Sequence, residues 1–203
     1  MACAFKWLQG STMKSPEQLL QQRTYSQEEL AESLLDTYFA TVHHVAYSIL
    51  RNVEEADDIA QETFIKALRT IHQYRPGTNL KSWLSTIAVN LCRDRLRRRQ
   101  ARQKWHNAWH WLEDRRPPHP SPEIQTIRGE MGNELWRAVD QLGEKHSIPI
   151  ILRYVHGMKA AEIAEILGVS EGTVYSRLHY ACRKLGHQLT LGDAQSGLSG
   201  VES

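Results

Sequence analysis

The chain has 203 residues and a mass of 23.4 kDa, which is enough for one medium domain or two small ones. Hydrophobic residues make up 41% and charged residues 24%, values that fit a globular protein and exclude a low-complexity chain. The cysteines Cys3, Cys92 and Cys182 are far apart and form no CxxC pair, which excludes a disulfide framework. No apolar run approaches the roughly 18 residues of a membrane span. The apolar N-terminal stretch is too short for a signal peptide, so we expect a cytoplasmic protein without membrane insertion.

The net charge of +2 does not by itself indicate a nucleic-acid binder, but the distribution of the charge does. Residues 81–104 carry eight Lys or Arg against one Asp. A stripe of this kind can neutralise phosphates; a solvated helix face or a localisation-type basic run is the alternative. The last seven cations of the stripe are Arg93, Arg95, Arg97, Arg98, Arg99, Arg102 and Lys104.

The first 25 residues are expected to form a flexible N-terminal extension, in which Met13 is a possible alternative start. Apolar residues at spacings of three and four then predict a helix over residues 26–52, with Ser26 and Glu29 as a capping box. A second helix is predicted over residues 54–73, and its acidic first turn suits the positive end of a helix dipole.

The stretch from Tyr74 to Asn79 contains Pro-Gly and predicts a turn. A third helix follows over residues 80–99, with an apolar stripe and then the arginines. Residues 26–99 are therefore expected to form one helical domain.

Residues 100–131 are predicted to be a linker, since four prolines between positions 117 and 122 cannot continue a helix. His106 and His110 stand at i, i+4 spacing, but a pair is only half a metal site and no Cys-rich or HExxH context accompanies it. We therefore predict no metal and no cofactor.

A second helical domain is predicted over residues 132–191, followed by a disordered tail over residues 192–203. Its strongest motif is a helix-turn-helix from Lys159 to Leu185, with Gly168 at the tight turn and Ser170 as the next N-cap. The exposed face of the second helix would carry hydroxyls, aromatics and cations that can reach phosphates and base edges. A generic helical hairpin is the alternative. The fold class expected is all-α: two small helical domains joined by a Pro-rich linker, the C-terminal one a helix-turn-helix.

Two stretches together resemble the extracytoplasmic-function (ECF) sigma factors. The first is ADDIAQETFIKAL at 56–68 followed by WLSTIAVNLCRDRLRRR at 83–99, which is similar to region 2 of that family. The second is LRYVHGMKAAEIAEILGVSEGTVYSRLHYACRKL at 152–185, which is similar to region 4. The resemblance covers roughly residues 30–190, including the order of the two stretches and the Pro-rich linker between them.

The resemblance implies an alternative sigma factor that binds core RNA polymerase and directs initiation at specific promoter DNA, with control by an anti-sigma factor. In the family, an acidic helix face binds the polymerase, and the turn and basic helix melt and read the minus-ten element. Two of the residues implied for the minus-ten element have alternative roles. Trp83 could instead belong to the hydrophobic core, and Asn90 could instead form a hydrogen bond with a backbone group. The residues implied are Asp57, Asp58, Gln61 and Glu62 for the polymerase, and Tyr74, Arg75, Asn79, Lys81, Trp83, Asn90, Arg93 and Arg97 for the minus-ten element.

The helix-turn-helix would, by the same resemblance, contact the minus-thirty-five element in duplex form. The chain departs from the family in having Tyr175 and Tyr180 where Lys or Arg is frequent, which should weaken phosphate attraction and change base preference. The groove contacts implied are Tyr175, Ser176, His179 and Tyr180, and the phosphate contacts are Thr173, Arg177, Arg183 and Lys184.

A stand-alone helix-turn-helix regulator is the alternative function, but residues 26–99 match the polymerase-binding domain instead of a dimerising or ligand-sensing one. An enzyme is not expected, because the sequence contains no GxSxG, P-loop, HExxH or GxGxxG motif. No small-molecule substrate is therefore predicted.

Overall fold

The computed structural model describes residues 14–22, 25–113 and 130–196, and within them every regular element is a helix. The described side chains end at position 102 in the long fourth helix, resume at position 134 and end at position 189. The helices are α1 Pro16–Gln22, α2 Gln27–Leu50, α3 Val53–Thr70, α4 Leu80–Glu113, α5 Glu130–Asp140, α6 Glu144–Tyr154, α7 Ala160–Leu167 and α8 Glu171–Ser196, with a 3-10 turn at Ile71–Gln73.

Helices α1–α4 form an N-terminal unit. The predicted capping box begins α2: Ser26 accepts a hydrogen bond from the Glu29 backbone, and the Glu29 carboxylate accepts one from the Ser26 backbone. The helix ends at Arg51, which has left-handed backbone angles (φ 58°), and Asn52 at once caps α3 through its side chain. These two caps turn the chain sharply, so that α2 and α3 pack closely against each other and against α4.

Part of the predicted N-terminal extension is ordered. Residues Pro16–Gln22 form α1, and Leu19 and Leu20 are buried in the core of the N-terminal unit. Ser33 on α2 donates a hydrogen bond to the backbone carbonyl of Lys14. The expectation of a flexible segment was wrong for these residues, because two apolar side chains at adjacent positions cover the start of α2.

The fourth helix is 34 residues long and continues past the predicted end at Arg99 to Glu113. The prolines begin only at position 117, so no residue up to Glu113 opposes helical geometry. The tryptophans at 105, 109 and 111 have side chains outside the described set. At the other end of the chain, α8 runs to Ser196, so the predicted tail is helical at 192–196.

Helices α5–α8 form a C-terminal unit that is docked on the N-terminal one. A single apolar cluster contains residues of both units, including Val45 and Val89 from the first and Ile148, Leu152 and Ile163 from the second. Helix α7 packs against α4, and α6 packs against α2. The two predicted domains therefore share a buried interface in this structure, which places the helix-turn-helix beside the basic helix.

Candidate nucleic-acid interface

The outer face of α3 carries the polar residues that were expected to bind a partner. The opposite face of this helix is buried, with Ala56, Ile59, Ala60, Thr63, Phe64 and Ala67 in the core. Asp58, Gln61 and Glu62 are exposed, and Asp57 is half-exposed. Because the helix is packed along its whole apolar side, these acceptors stand on a rigid support and can receive hydrogen bonds from cations of a partner.

Two of these carboxylates already have neighbours. Asp57 Oδ1 lies 3.1 Å from His43 Nε2, and Asp58 Oδ2 lies 3.7 Å from Arg95 Nη2. Both carboxylates remain half-exposed or more, so these contacts are weak and leave lone pairs available.

Sequence reasoning missed an apolar extension of this face. The side chain of Ile65, an apolar residue of α3, is 51% exposed. It stands four residues beyond Gln61 and three beyond Glu62, and these spacings place the three residues on one side of the helix. Ile65 lies seven residues, or two helical turns, beyond Asp58, so its spacing from that acidic residue indicates that it shares the outer face of α3. Leu35 and Phe39 on α2 are also exposed.

The turn after α3 is held by Tyr74. This side chain is buried, its hydroxyl donates a hydrogen bond to the Thr78 carbonyl at 2.6 Å, and its ring lies 5.5 Å from that of Trp83. Tyr74 was expected to contact DNA, but here it supports the turn from inside. Trp83 is only half-buried and leaves part of its ring at the surface.

The remaining turn residues face solvent. Arg75, Lys81 and Asn90 are exposed, and so is Asn79, whose side chain accepts a hydrogen bond from the Ser82 backbone at 3.1 Å and thus caps α4. Asn90 lies two turns of helix from Trp83, on the same side of α4. An aromatic ring and an amide therefore lie on one side of the first half of α4, and the preceding turn adds the exposed cation of Arg75.

Further along α4, the arginines are divided between partners on different helices. Arg93 Nε donates to Glu144 Oε1 at 2.6 Å, and Arg97 Nη2 lies 3.9 Å from the same oxygen. Arg99 pairs with Glu55 at 2.8 Å. Glu144 belongs to the C-terminal unit, so in the docked arrangement two residues that were expected to contact DNA are paired with a carboxylate.

The helix-turn-helix forms as the sequence predicts. Gly168 ends α7 with left-handed backbone angles (φ 63°), and Ser170 Oγ accepts a hydrogen bond from the Thr173 backbone at 3.2 Å. Val174, Leu178 and Ala181, at helical spacing, are buried. The turn and the cap together set the direction of α8, whose other faces are left for solvent or a partner.

The predicted contact residues of α8 lie on the outside to different degrees. Tyr175, Ser176, His179 and Arg183 are exposed, whereas Thr173, Arg177 and Lys184 are partly buried. Lys184 Nζ donates to the Gln141 carbonyl at 3.2 Å, so this cation also ties α8 to the turn after α5. Cys182 is exposed, with its Sγ 3.6 Å from the hydroxyl of Tyr154.

An aromatic pair lies at the edge of α8. The ring of Tyr180 lies 4.4 Å from that of His146 on α6. Partial burial, together with the nearby charges of Lys145, Arg177 and Lys184, lowers the pKa of His146. Three cations of α6 and α8 therefore act on one imidazole and disfavour its protonated form.

A partly buried histidine, His156, lies at the interface between the two units. His156 Nε2 lies 2.8 Å from Ser48 Oγ, and its ring is edge-on to His44 at 5.1 Å. Burial, the neighbouring His44 and then Lys81 lower the pKa of His156 to about 4. The guanidinium of Arg51 lies 3.8 Å above the Trp136 ring. Sequence reasoning assigned no role to these residues because their partners are distant in the chain.

Neither a metal centre nor a membrane-spanning helix occurs in the described parts of the chain. Among residues 14–22, 25–113 and 130–196, no three His, Cys, Asp or Glu side chains are grouped as metal ligands would be. No helix within those ranges is long and apolar enough to cross a bilayer. The side chains of His106 and His110 lie outside the described set.

Family models match both units of the chain. The model of sigma-70 region 2 matches residues 34–102, and the model of sigma-70 region 4 matches residues 132–185. The chain is similar in fold to CnrH in its complex with the cytosolic domain of CnrY (TM-score 0.61, 21% identity, 88% of this chain and 99% of that one). It is also similar to the sigma factor RpoE from Bartonella quintana (TM-score 0.60, 23% identity, 78% and 96%).

Two curated relatives are more similar in sequence. The ECF RNA polymerase sigma factor SigE of Mycolicibacterium smegmatis is 32% identical over 83% of this chain, which spans 65% of that relative's length. The ECF RNA polymerase sigma factor SigW of Bacillus subtilis is 30% identical over 77% of this chain and 87% of the relative. The chain therefore belongs to the ECF family of RNA polymerase sigma factors.

Proposed function

We propose that this chain binds core RNA polymerase through the outer face of α3 and directs it to promoters that carry two separate elements. The observation that carries the proposal is that both family regions are present in order, each with its polar face outward. Asp58, Gln61 and Glu62 offer rigid acceptors to cations of the polymerase, and the exposed Ile65 adds apolar area beside them.

Recognition of the minus-ten element is assigned to the start of α4 and its preceding turn. Opening a duplex costs a few kcal/mol of unstacking for each extruded base, and stacking on an aromatic ring offsets part of that cost. Trp83 supplies a half-exposed ring, Arg75 and Lys81 supply charge, and Asn79 and Asn90 supply amides. Tyr74 acts as the internal support of this turn.

Recognition of the minus-thirty-five element is assigned to α8, which would enter the major groove of the duplex. Tyr175, Ser176 and His179 are exposed and offer hydroxyl, ring and imidazole contacts to base edges. Tyr180 is assigned to the same groove, although its ring also packs on His146. Phosphate contacts are assigned to Thr173, Arg177, Arg183 and Lys184.

Engagement of a promoter then requires the two units to separate. Arg93 and Arg97 cannot neutralise DNA phosphates while Glu144 neutralises them. The docked arrangement is thus an inactive one, and we propose that an anti-sigma factor would hold it. The solved RpoE structure is a complex with the anti-sigma factor NepR, which supports this type of partner. The chain would act in the cytoplasm as an initiation factor and not as an enzyme.

Run-off transcription with purified core polymerase and a promoter library tests the proposal. The variant Asp58→Ala/Gln61→Ala removes one carboxylate and one amide from the face of α3. The matched control Gln27→Ala/Asp36→Ala removes the same two groups from exposed positions of α2. Specific transcripts are expected with the wild type and the control, and their loss is expected with the α3 variant.

A different result in these assays would favour the alternative function, a stand-alone helix-turn-helix regulator. A helix-turn-helix regulator would bind a duplex operator tightly without polymerase and would support no transcript. That result would contradict the sigma-factor proposal, since this class should bind duplex DNA poorly on its own.

A further inference from the structure

A cleft lies between the two docked units, away from the outer face of α3. Its volume is about 330 Å³, and helices α4, α6, α7 and α8 all contribute to its walls. The charged lining residues are Arg93, Arg97, Glu144, Lys145 and Arg177, and Leu167 provides part of an apolar wall. A volume of this order suits a small molecule.

The charge of the cleft is not balanced by its own residues. Four cations line it, whereas Glu144 is the single carboxylate of its lining. Asp94 also lies near Arg97, at 3.8 Å, on the adjoining surface of α4. Even when both carboxylates are counted, the cleft keeps an excess of two positive charges, so it is suited to an anion that carries at least two negative charges.

One side chain of the cleft, Arg177, has a hydrogen-bond donor that lacks an acceptor among the described residues. Its Nε is buried, and within the described part of the chain it has no hydrogen-bond partner. A buried guanidinium N–H without an acceptor costs free energy that a bound oxygen would recover. Arg93 shows the opposite case, because its Nε already donates to Glu144. The Arg177 Nε–H group therefore favours a bound ligand with an acceptor oxygen in the cleft between α8 and α6.

Guanidinium groups match the oxygens of phosphoryl groups particularly well, because their planar N–H donors can bond two oxygens at once. Three arginines from two helices, α4 and α8, line this cleft, with Lys145 of α6 beside them. Two linked phosphoryl groups would supply both the charge and enough acceptors to span from α4 to α8. A single carboxylate would supply neither.

We propose that the cleft binds a pyrophosphate group, either as free pyrophosphate or as the diphosphate of a nucleotide. Such a ligand bridges the two units, so it binds only the docked arrangement and increases the population of that arrangement. Under the proposed function, on which this consequence alone rests, the ligand would hold Arg93 and Arg97 away from promoter DNA.

Calorimetric titration of the full chain with sodium pyrophosphate tests the site, without polymerase or DNA. The variants Lys145→Gln and Arg177→Gln each remove one cation of the cleft, and Lys66→Gln removes an exposed cation of α3 as the matched control. Arg177→Lys keeps the charge but removes the planar fork. One-to-one binding is expected, weakened at least tenfold by the two Gln variants, less by Arg177→Lys and not by the control.

Titrations with ADP, sulfate and succinate define the ligand. Tighter binding of ADP than of pyrophosphate would assign a nucleotide, and equal binding would assign the free anion. Succinate or sulfate binding as tightly as pyrophosphate would overturn the phosphoryl assignment. Absence of saturable binding at millimolar pyrophosphate, or equal weakening by Lys66→Gln, would overturn the site.

Hydrogen exchange gives a second measurement that does not depend on one variant folding well. Saturating pyrophosphate should slow amide exchange in both α6 and the 91–97 part of α4, because it holds the two units together. Unchanged exchange in both segments would contradict the bridging role. These results leave the sigma-factor proposal untouched, since transcription tests that proposal separately.

Discussion

Glu144 Oε1 accepts a hydrogen bond from Arg93 Nε at 2.6 Å, although the two residues are 51 positions apart and belong to different family regions. Glu144 follows Gly143 as the first residue of α6, and its side chain is only 17% exposed. A short charge-assisted bond in such a place is stronger than an ion pair at the surface. It ties the basic helix to the unit that carries the helix-turn-helix.

Replacing Glu144 by Gln should loosen the docking of the two units. The change keeps the shape but removes the charge that Arg93 and Arg97 share, at a cost of about 1–2 kcal/mol. Freed arginines should raise the affinity for a single-stranded oligonucleotide by roughly tenfold, which fluorescence anisotropy would measure. Glu165→Gln, at an exposed position of α7, is the control. Equal affinities for both variants would contradict this role.

Docking should also depend on pH through His156. Its pKa in the docked state is about 4, below the ordinary 6.5, so the opened or unfolded chain takes up a proton that the docked chain excludes. Stability is therefore full above about pH 6.5 and declines as the pH falls from 6.5 towards 4. The loss between pH 7 and pH 5 should be ~1–2 kcal/mol.

Denaturant unfolding at the two pH values would measure this loss. The variant His156→Gln keeps a polar partner for Ser48 but has no titratable ring, so its pH dependence should be smaller by that amount. The difference between the two proteins isolates His156 from His146, whose lowered pKa acts in the same direction. Parallel pH curves would show that His156 does not control docking.

The two described cysteines should differ sharply in reactivity. Burial raises the pKa of Cys92 to about 12, so its thiolate is scarce at neutral pH. Cys182 is exposed on α8. Alkylation of the native chain, followed by peptide mass spectrometry, should modify Cys182 at least about tenfold faster than Cys92. Comparable rates would indicate that the core around α4 opens readily.

The variant Gly168→Ala should destabilise the turn of the helix-turn-helix. The φ of 63° at Gly168 is a left-handed conformation that costs an alanine about 1 kcal/mol. Gly172 lies inside α8, and a Cβ there would meet nothing closer than 3.9 Å, so Gly172→Ala should stabilise the chain by about 0.5 kcal/mol. Thermal unfolding should show a lower melting temperature for Gly168→Ala and a higher one for Gly172→Ala. A destabilised Gly172→Ala would contradict this account.

Much of the local structure follows from the sequence because local chemistry decides it. Ser26 with Glu29, and the pair Gly168 and Ser170, are short-range caps, and each forms where the sequence predicts. The motif at 56–68 places its acidic residues outside, since the spacing of the apolar residues defines the buried side of α3. The family, too, follows from motifs that are contiguous in the chain.

The limits of sequence reasoning appear where burial depends on distant partners. Ile65 and Cys182 have apolar character but no neighbour to cover them, so they are exposed. Tyr74 looks like an exposed aromatic in a turn, but it is buried because α4 returns over it.

By itself, then, the sequence determined helices α2 and α3, the caps at Ser26, Gly168 and Ser170, and the two family regions, because each depends on residues within a few turns of one another. The tertiary structure alone decided that Glu144 faces Arg93, that His156 is enclosed beside Ser48 and His44, and that four cations meet in one cleft. Those relations arise from docking α6, α7 and α8 on α2 and α4, and no local pattern encodes which charges such a contact brings together.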